Sequence, residues 1–177
     1  VAVTIVDYDP DWPDRFAQRR DVVLDAADGR IVCIEHFGST AVPGLAAKPI
    51  IDIVAAVKDV DADGAALTAA LAPLGYALFD AGMPGRLLLT RDEDGVRVEH
   101  LHIAPLDRWD LMKERLMRDW LLTHPDIRDR YAALKSDIAA AGLDGLDYTR
   151  AKTALVQEIV DAARAARGLA SEDVWES

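Results

Sequence analysis

Residues 34–57, IEHFGSTAVPGLAAKPIIDIVAAV, constrain this chain more than any other segment. A run rich in β-branched and apolar residues, 31–37, reads as a strand. It stops at Gly38-Ser39-Thr40, and the turn that follows carries Pro43, Gly44 and Pro49. A second apolar run, 50–57, then contains one charged residue, Asp52. Such a run belongs in the middle of a sheet covered on both sides. Glycine lets a backbone approach a ligand, and Ser39 and Thr40 offer hydroxyls and amides to phosphate oxygens. An ordinary turn with hydroxyl capping would use the same residues. Asp52 shifts that balance, because a carboxylate among apolar neighbours is expensive to bury without a partner or a metal. It is expected at a strand end facing a cleft, and Lys48 and Arg97 are the available ion-pair partners if no metal binds.

The flanking sequence predicts an α+β fold with a small mixed sheet. Residues 3–6 read as a short strand. Asp9-Pro10-Asp11-Trp12-Pro13 starts a helix that runs to about residue 27, with Phe16, Val23 and Leu24 on its helical pattern. A helix over 61–74, closed by Gly75, precedes strands at 76–80, 86–91 and 96–103. Asp94-Gly95 is a hairpin signal, so the last two strands are antiparallel. After Pro105 three helices are expected. The first covers 106–122, with Trp109, Met112, Leu116 and Trp120 inward. The second begins at His124-Pro125 and carries Ile127, Tyr131, Leu134 and Ile138 on one face. The third, 148–166, follows a break at 142–145 and turns Leu155 and Ile159 inward. The division is a core at 1–105, a helical region at 106–167 packed on it, and a frayed acidic tail at 168–177, where Trp175 is a candidate contact.

Composition excludes some classes. A chain of 177 residues, 51% hydrophobic, is neither disordered nor too short for a full core. No apolar run approaches the roughly 20 residues that span a bilayer, and the first residues lack the pattern of a secretion signal. Cys33 is the only cysteine, which rules out an intrachain disulfide and a cysteine-based zinc cluster and fits a reducing cytoplasm. A net charge of -11 argues against extended contact with nucleic acid. It leaves room for a small anionic ligand, since distant charge is screened within ~10 Å.

Two further patterns offer chemistry. In Arg97-Val98-Glu99-His100-Leu101-His102 the histidines share one face of a strand, and Arg97 and Glu99 share the other. Paired imidazoles suit a metal or a phosphate, and equally suit a polar sheet face. Tyr131 and Lys135 are four apart, as are Tyr148 and Lys152, and each lysine lies on an inward helical stripe. Such a lysine snorkels to water or meets an anion. Arg118 faces the same choice.

These residues resemble the GrpB family. HFGSTAVPGLAAKPIIDI, the later HLH, MRDWLLTHP, the two Tyr/Lys pairs and the opening DYDPDWPDRF all match its pattern, over about residues 3–166. The resemblance implies the nucleotidyltransferase superfamily, with a core like the catalytic domain of polymerase-β-type enzymes; a related domain is fused to some dephospho-CoA kinases. By position it makes Gly38-Ser39 a phosphate turn and Asp52 a metal-binding carboxylate. The superfamily's second acid, two residues on, is replaced by Val54. Glu99 is the acid available for the third position, beside the family's polar pair His100 and His102.

Three functions follow as expectations. In the first, Gly38, Ser39, Thr40 and Lys48 hold a nucleoside triphosphate. Asp52 binds Mg²⁺ or Mn²⁺ with His100, His102 or Glu99, while Arg97, Arg118, Lys135 and Lys152, with Tyr131 and Tyr148, complete the site. A nucleotidyl or phosphoryl group would pass to a small acceptor. In the second, Val54 marks a module that binds nucleotide or metabolite without turnover. In the third, the histidines act as acid and base at the same cleft, although no base for Ser39 is visible along the chain.

Overall fold

The computed structural model describes residues 4–143 and 145–174. Its centre is a five-stranded sheet in the order β1-β2-β5-β4-β3, formed by β1 (Ile31–Phe37), β2 (Ile51–Val57), β3 (Tyr76–Phe79), β4 (Leu87–Glu93) and β5 (Val96–Pro105). The β2–β5 pair is parallel and the other three pairs are antiparallel, so the sheet is mixed as expected. Asp94 and Gly95 both take positive φ, at 50° and 77°, which closes the β4–β5 hairpin with the twist that two-residue turns favour.

One face of the sheet is covered by α1 (Trp12–Ala27) and α2 (Val60–Leu71). Trp12, Val23, Leu67 and Leu71 pack there against Ile53, Leu89, Leu101 and Ile103. Asp59 caps α2, accepting hydrogen bonds from the Asp61 and Ala62 amides at 3.0 Å, and Pro73 helps end the regular helix as a 3-10 turn over Ala72–Leu74. On the other face, Trp109 and Met112 pack on Phe37, Val54, Ala56 and Ala104. Helices α3 (Lys113–Thr123), α4 (Pro125–Ala140) and α5 (Gly145–Ala165) form a cluster of their own. Val42 and Leu45, from the turn after β1, are buried in it beside Leu121, Tyr131, Leu155 and Ile159. The glycine turn is thereby held between the sheet and the helical half.

Several expectations are corrected. The strand at 3–6 is a single bridge, Val6 to Ala47, and Val3 lies outside the described residues. Leu24 is exposed on α1. The helix expected over 106–122 divides into a 3-10 segment, Leu106–Leu111, and α3, with Met112 extended between them at φ -62°, ψ 117°. That break lets both Trp109 and Met112 reach the sheet. The tail is not frayed through residue 174: Gln157 donates to the Glu172 carbonyl at 2.9 Å, Arg164 pairs with Glu172 at 2.6 Å, and Lys113 donates to the Val174 carbonyl at 2.8 Å. Trp175 lies outside the described residues. No described helix is long and apolar enough to cross a membrane.

Candidate functional site

Gly38 ends β1 at φ 70°, ψ -170°, a conformation essentially reserved for glycine. A side chain could not fit there in any case, because a Cβ would lie 2.3 Å from Asp52 Oδ2. Turn and strand acid are therefore in direct contact, as the β1–β2 register of Phe37 opposite Asp52 requires. The turn is fixed from behind by Thr40, whose buried hydroxyl donates to the Ile50 carbonyl at 3.1 Å. That leaves its oxygen to accept from His36 Nε2 at 2.9 Å. His36 stacks on Phe16, and burial lowers it to about 4, so it is neutral at pH 7. Thr40 is thus mainly a turn anchor, and its partner His36, which alternates to the other sheet face, was not singled out by sequence.

In front of the turn lies a cavity of about 210 Å³ walled by Ser39, Asp52 and His100 on the sheet side and by three lysines with Tyr148 on the other. Lys135, on α4, is 2% exposed. Its Nζ donates to the Ala46 carbonyl at 2.5 Å and to Ser39 Oγ at 3.0 Å, and sits 4.7 Å from the Tyr131 ring centroid. Lys48 and Lys152 both approach the Tyr148 ring, at 4.5 and 4.6 Å. Among the described residues, no salt bridge joins any of these lysines to a carboxylate. Aromatic rings stabilise an ammonium through their quadrupole without cancelling its charge. Burial, and then repulsion from Lys152, lowers Lys135 to about 7; burial, and then Lys48, lowers Lys152 to about 8. Burial also lowers Lys48, against the pull of Asp52. The cavity thus gathers three cationic side chains and one carboxylate, and that carboxylate is engaged: Asp52 Oδ1 lies 2.9 Å from His100 Nδ1.

A measurable consequence follows from the lysines. Their ordinary value is 10.5, so from about pH 7 upward the unfolded chain holds more protons at Lys135 and Lys152 than the folded one. Stability is expected to rise between about pH 7 and pH 9. The window ends there because Tyr131 and Tyr148 are shifted upward by burial and act with the opposite sign at higher pH. Urea midpoints across this range check the effect, and a midpoint that falls contradicts it.

The cleft gathers most of the candidates but not all. Glu99 points to the opposite face, buried among Arg19 at 3.0 Å, Arg91 at 2.5 Å and the Tyr76 hydroxyl at 2.5 Å. It is no ligand for anything bound at Asp52. A cavity of about 380 Å³ opens beside it, yet the arginines there already face carboxylates. Arg97 pairs with Asp92 and lies over Phe79, toward the far edge of the sheet. Arg118 is committed to Glu35 at 2.8 Å, Asp119 at 2.7 Å and the His36 carbonyl at 2.7 Å. Tyr131 sits behind the turn, buried in the helical cluster with its ring against Lys135 Nζ. His102 shares its face with His100, as expected, with ring centroids 6.5 Å apart. It is nonetheless 7% exposed, packed on Phe37, and burial lowers it to about 4.

The donor set does not fit the Mg²⁺ or Mn²⁺ ion expected at Asp52. These ions favour several oxygen ligands. Here one carboxylate is present, Val54 is fully buried in the apolar cluster with Trp109, and Glu99 faces away. Among the described residues no three His, Cys, Asp or Glu side chains gather into a metal-binding group. Three lysines stand around Asp52 instead.

Comparison with known proteins agrees with the fold. A UPF0157 protein of Streptomyces coelicolor is 36% identical over 166 residues, 93% of this chain and 86% of its own length. A UPF0157 protein of Halalkalibacterium halodurans is 33% identical over 168 residues, 93% of this chain and 84% of its own. The crystal structure of the conserved protein GrpB from Enterococcus faecalis superposes with a TM-score of 0.85 at 28% identity, over 93% of this chain and 99% of that one. Cid1 poly(U) polymerase aligns at a TM-score of 0.45 and 11% identity over 75% of this chain and 44% of its own, too slight a likeness to argue from. The family model described as GrpB protein matches residues 2–162, and the chain belongs to the GrpB family.

Proposed function

We propose that the cleft binds a nucleotide or another phosphorylated small molecule, and that lysines supply the positive charge that a metal pair supplies elsewhere. One observation carries this reading: Lys48, Lys135 and Lys152 meet in one cavity beside Ser39 and Asp52, and among the described residues no salt bridge ties any of them to a carboxylate. Ammonium groups held in a partly dry cavity attract phosphate more strongly than exposed ones do. Burial first, and a neighbouring lysine second, lowers the proton affinity of Lys135 and Lys152, and a phosphate bound beside Lys152 opposes both effects there.

Thermal unfolding tests this in the presence of EDTA. With ATP, GTP or pyrophosphate at a hundredfold excess over Kd, the midpoint is expected to rise by about 5–10 °C. The Lys48→Met, Lys152→Met double variant is expected to lose the shift. Absence of a shift with every phosphate compound, or a shift that needs both a divalent cation and Asp52, overturns the reading.

A second reading adds phosphoryl or nucleotidyl transfer to a small acceptor, and the Asp52–His100 contact favours it. A carboxylate on Nδ1 orients the imidazole and leaves Nε2 available to take a proton from an acceptor hydroxyl. His100→Ala is then expected to lower acceptor-dependent turnover by about a hundredfold or more while the thermal shift persists. Turnover unchanged in that variant removes this second reading.

A further inference from the structure

Ser39 has no base in the sequence, yet the fold delivers one from 96 positions away: Lys135 Nζ lies 3.0 Å from Ser39 Oγ. The lysine is held in place on every side. Its Nζ bonds the Ala46 carbonyl, lies against the Tyr131 ring, and is almost fully buried. A nucleophile and base within hydrogen-bond reach, with the base oriented by a third group, is the recurring arrangement of covalent catalysis, and serine–lysine pairs are one of its forms. Ser39 projects from a turn braced by Gly38 and Thr40 into the cavity that Lys48 and Lys152 line. A serine with a purely structural role has no need of an oriented amine and an open cationic cavity together.

We propose that Ser39 is a nucleophile, with Lys135 as its general base, and that it accepts a phosphoryl group from a phosphate ester or anhydride bound between Lys48 and Lys152. This rests on the phosphate-binding reading of the same cleft. In the step, neutral Lys135 accepts the Ser39 hydroxyl proton and keeps donating to the Ala46 carbonyl. A bond forms between Ser39 Oγ and phosphorus. The bond from phosphorus to the leaving oxygen breaks, and that oxygen takes its electron pair and a proton from Lys152. The product is phosphoserine at position 39 plus the free alcohol or shorter phosphate, with no redox change. Water or a second acceptor, deprotonated by His100, then removes the phosphoryl group.

Two probes test the pair. The first is a fluorophosphonate ester, which reports a nucleophilic serine without requiring affinity for a natural ligand. A single adduct is expected, located on Ser39 by peptide mass spectrometry and absent in Ser39→Ala. Its rate is expected to fall about a hundredfold in both Lys135→Met and Lys135→Arg. The arginine keeps a donor to Ser39 but cannot give up its proton, so a merely structural role predicts that it retains the rate. In the wild type the rate is expected to climb as pH rises through about 7, where Lys135 loses its proton because burial and then Lys152 on α5 outweigh the pull of Asp52 on β2, with the Tyr131 ring of its own helix 4.7 Å away. Arg97→Ala, distant from the cleft, is expected to label like the wild type.

The second probe is ATP in EDTA, for which intact-mass analysis is expected to show one added phosphoryl group on Ser39. No fluorophosphonate adduct on Ser39, or a rate indifferent to Lys135, overturns the nucleophile. An adduct without phosphoserine from ATP, GTP or pyrophosphate overturns the donor class. A thermal shift with phosphate compounds but no adduct sinks this inference alone. An adduct without any thermal shift sinks the phosphate reading and leaves the nucleophile standing.

Discussion

Gly38→Ala is expected to lower stability by about 3 kcal/mol and to abolish ligand-induced stabilisation. Two penalties add. The backbone at φ 70°, ψ -170° costs a non-glycine residue about 1–3 kcal/mol. The new methyl group would also lie 2.3 Å from Asp52 Oδ2 and 2.9 Å from Asp52 Cβ, so strand or turn must move, and forced overpacking costs about 1–3 kcal/mol. Asp52 cannot simply rotate aside, because His100 holds its other oxygen at 2.9 Å. The two penalties are separable in a double-mutant cycle. In an Asp52→Gly background, alanine at 38 is expected to show only the backbone penalty. Urea denaturation of the four proteins reads both, and simple additivity contradicts the close approach.

Glu99→Ala is expected to cost about 3–5 kcal/mol, the penalty for removing one member of a buried charged network. Glu99 is 3% exposed and is, among the described residues, the one carboxylate within salt-bridge distance of Arg19, which also donates to the Leu74 carbonyl. It shares Arg91 with the exposed Glu93, and it accepts from the Tyr76 hydroxyl. Its loss strands the Arg19 guanidinium and the Tyr76 phenol at the α1 side of the sheet and leaves Arg91 with the exposed Glu93 alone. The same contacts raise Arg91 and Tyr76 above their ordinary values, led by the Glu99 hydrogen bond for Arg91 and by burial for Tyr76. Since this network lies on the face opposite the lysine cavity, the variant is expected to keep its thermal shift with ATP despite a lower starting midpoint. Loss of binding with little loss of stability would place Glu99 in the cleft after all.

The sheet was legible because its signals are local. The apolar run with a lone aspartate marked β2, and Asp94-Gly95 marked the hairpin, and both depend on neighbours in sequence. The helix expected over 106–122 failed for a tertiary reason: Trp109 and Met112 are recruited to the sheet, which an unbroken helix would not allow. The tail failed likewise, since its order comes from Gln157, Arg164 and Lys113, none of them its neighbours in sequence. At the cleft, helical spacing correctly marked Lys135 and Lys152 as lysines on inward stripes, and strand alternation placed His100 apart from Glu99. What spacing cannot convey is depth or partnership. Arg118 and Lys135 look alike as cations on inward helical stripes, yet one is matched by carboxylates and the other is not. The Ser39–Lys135 contact, joining a turn to a distant helix, leaves no local trace at all.

Calorimetric titration of ATP into the protein in EDTA, near pH 8 and in two buffers of different ionisation enthalpy, addresses the lysine cleft most directly. Binding is expected without divalent metal, together with net proton uptake, as the phosphate restores the proton to Lys152. The uptake is expected to shrink in Lys152→Met. Heat that appears only after Mg²⁺ or Mn²⁺ is added, or binding with no proton uptake, contradicts a cleft in which lysines stand in for metal.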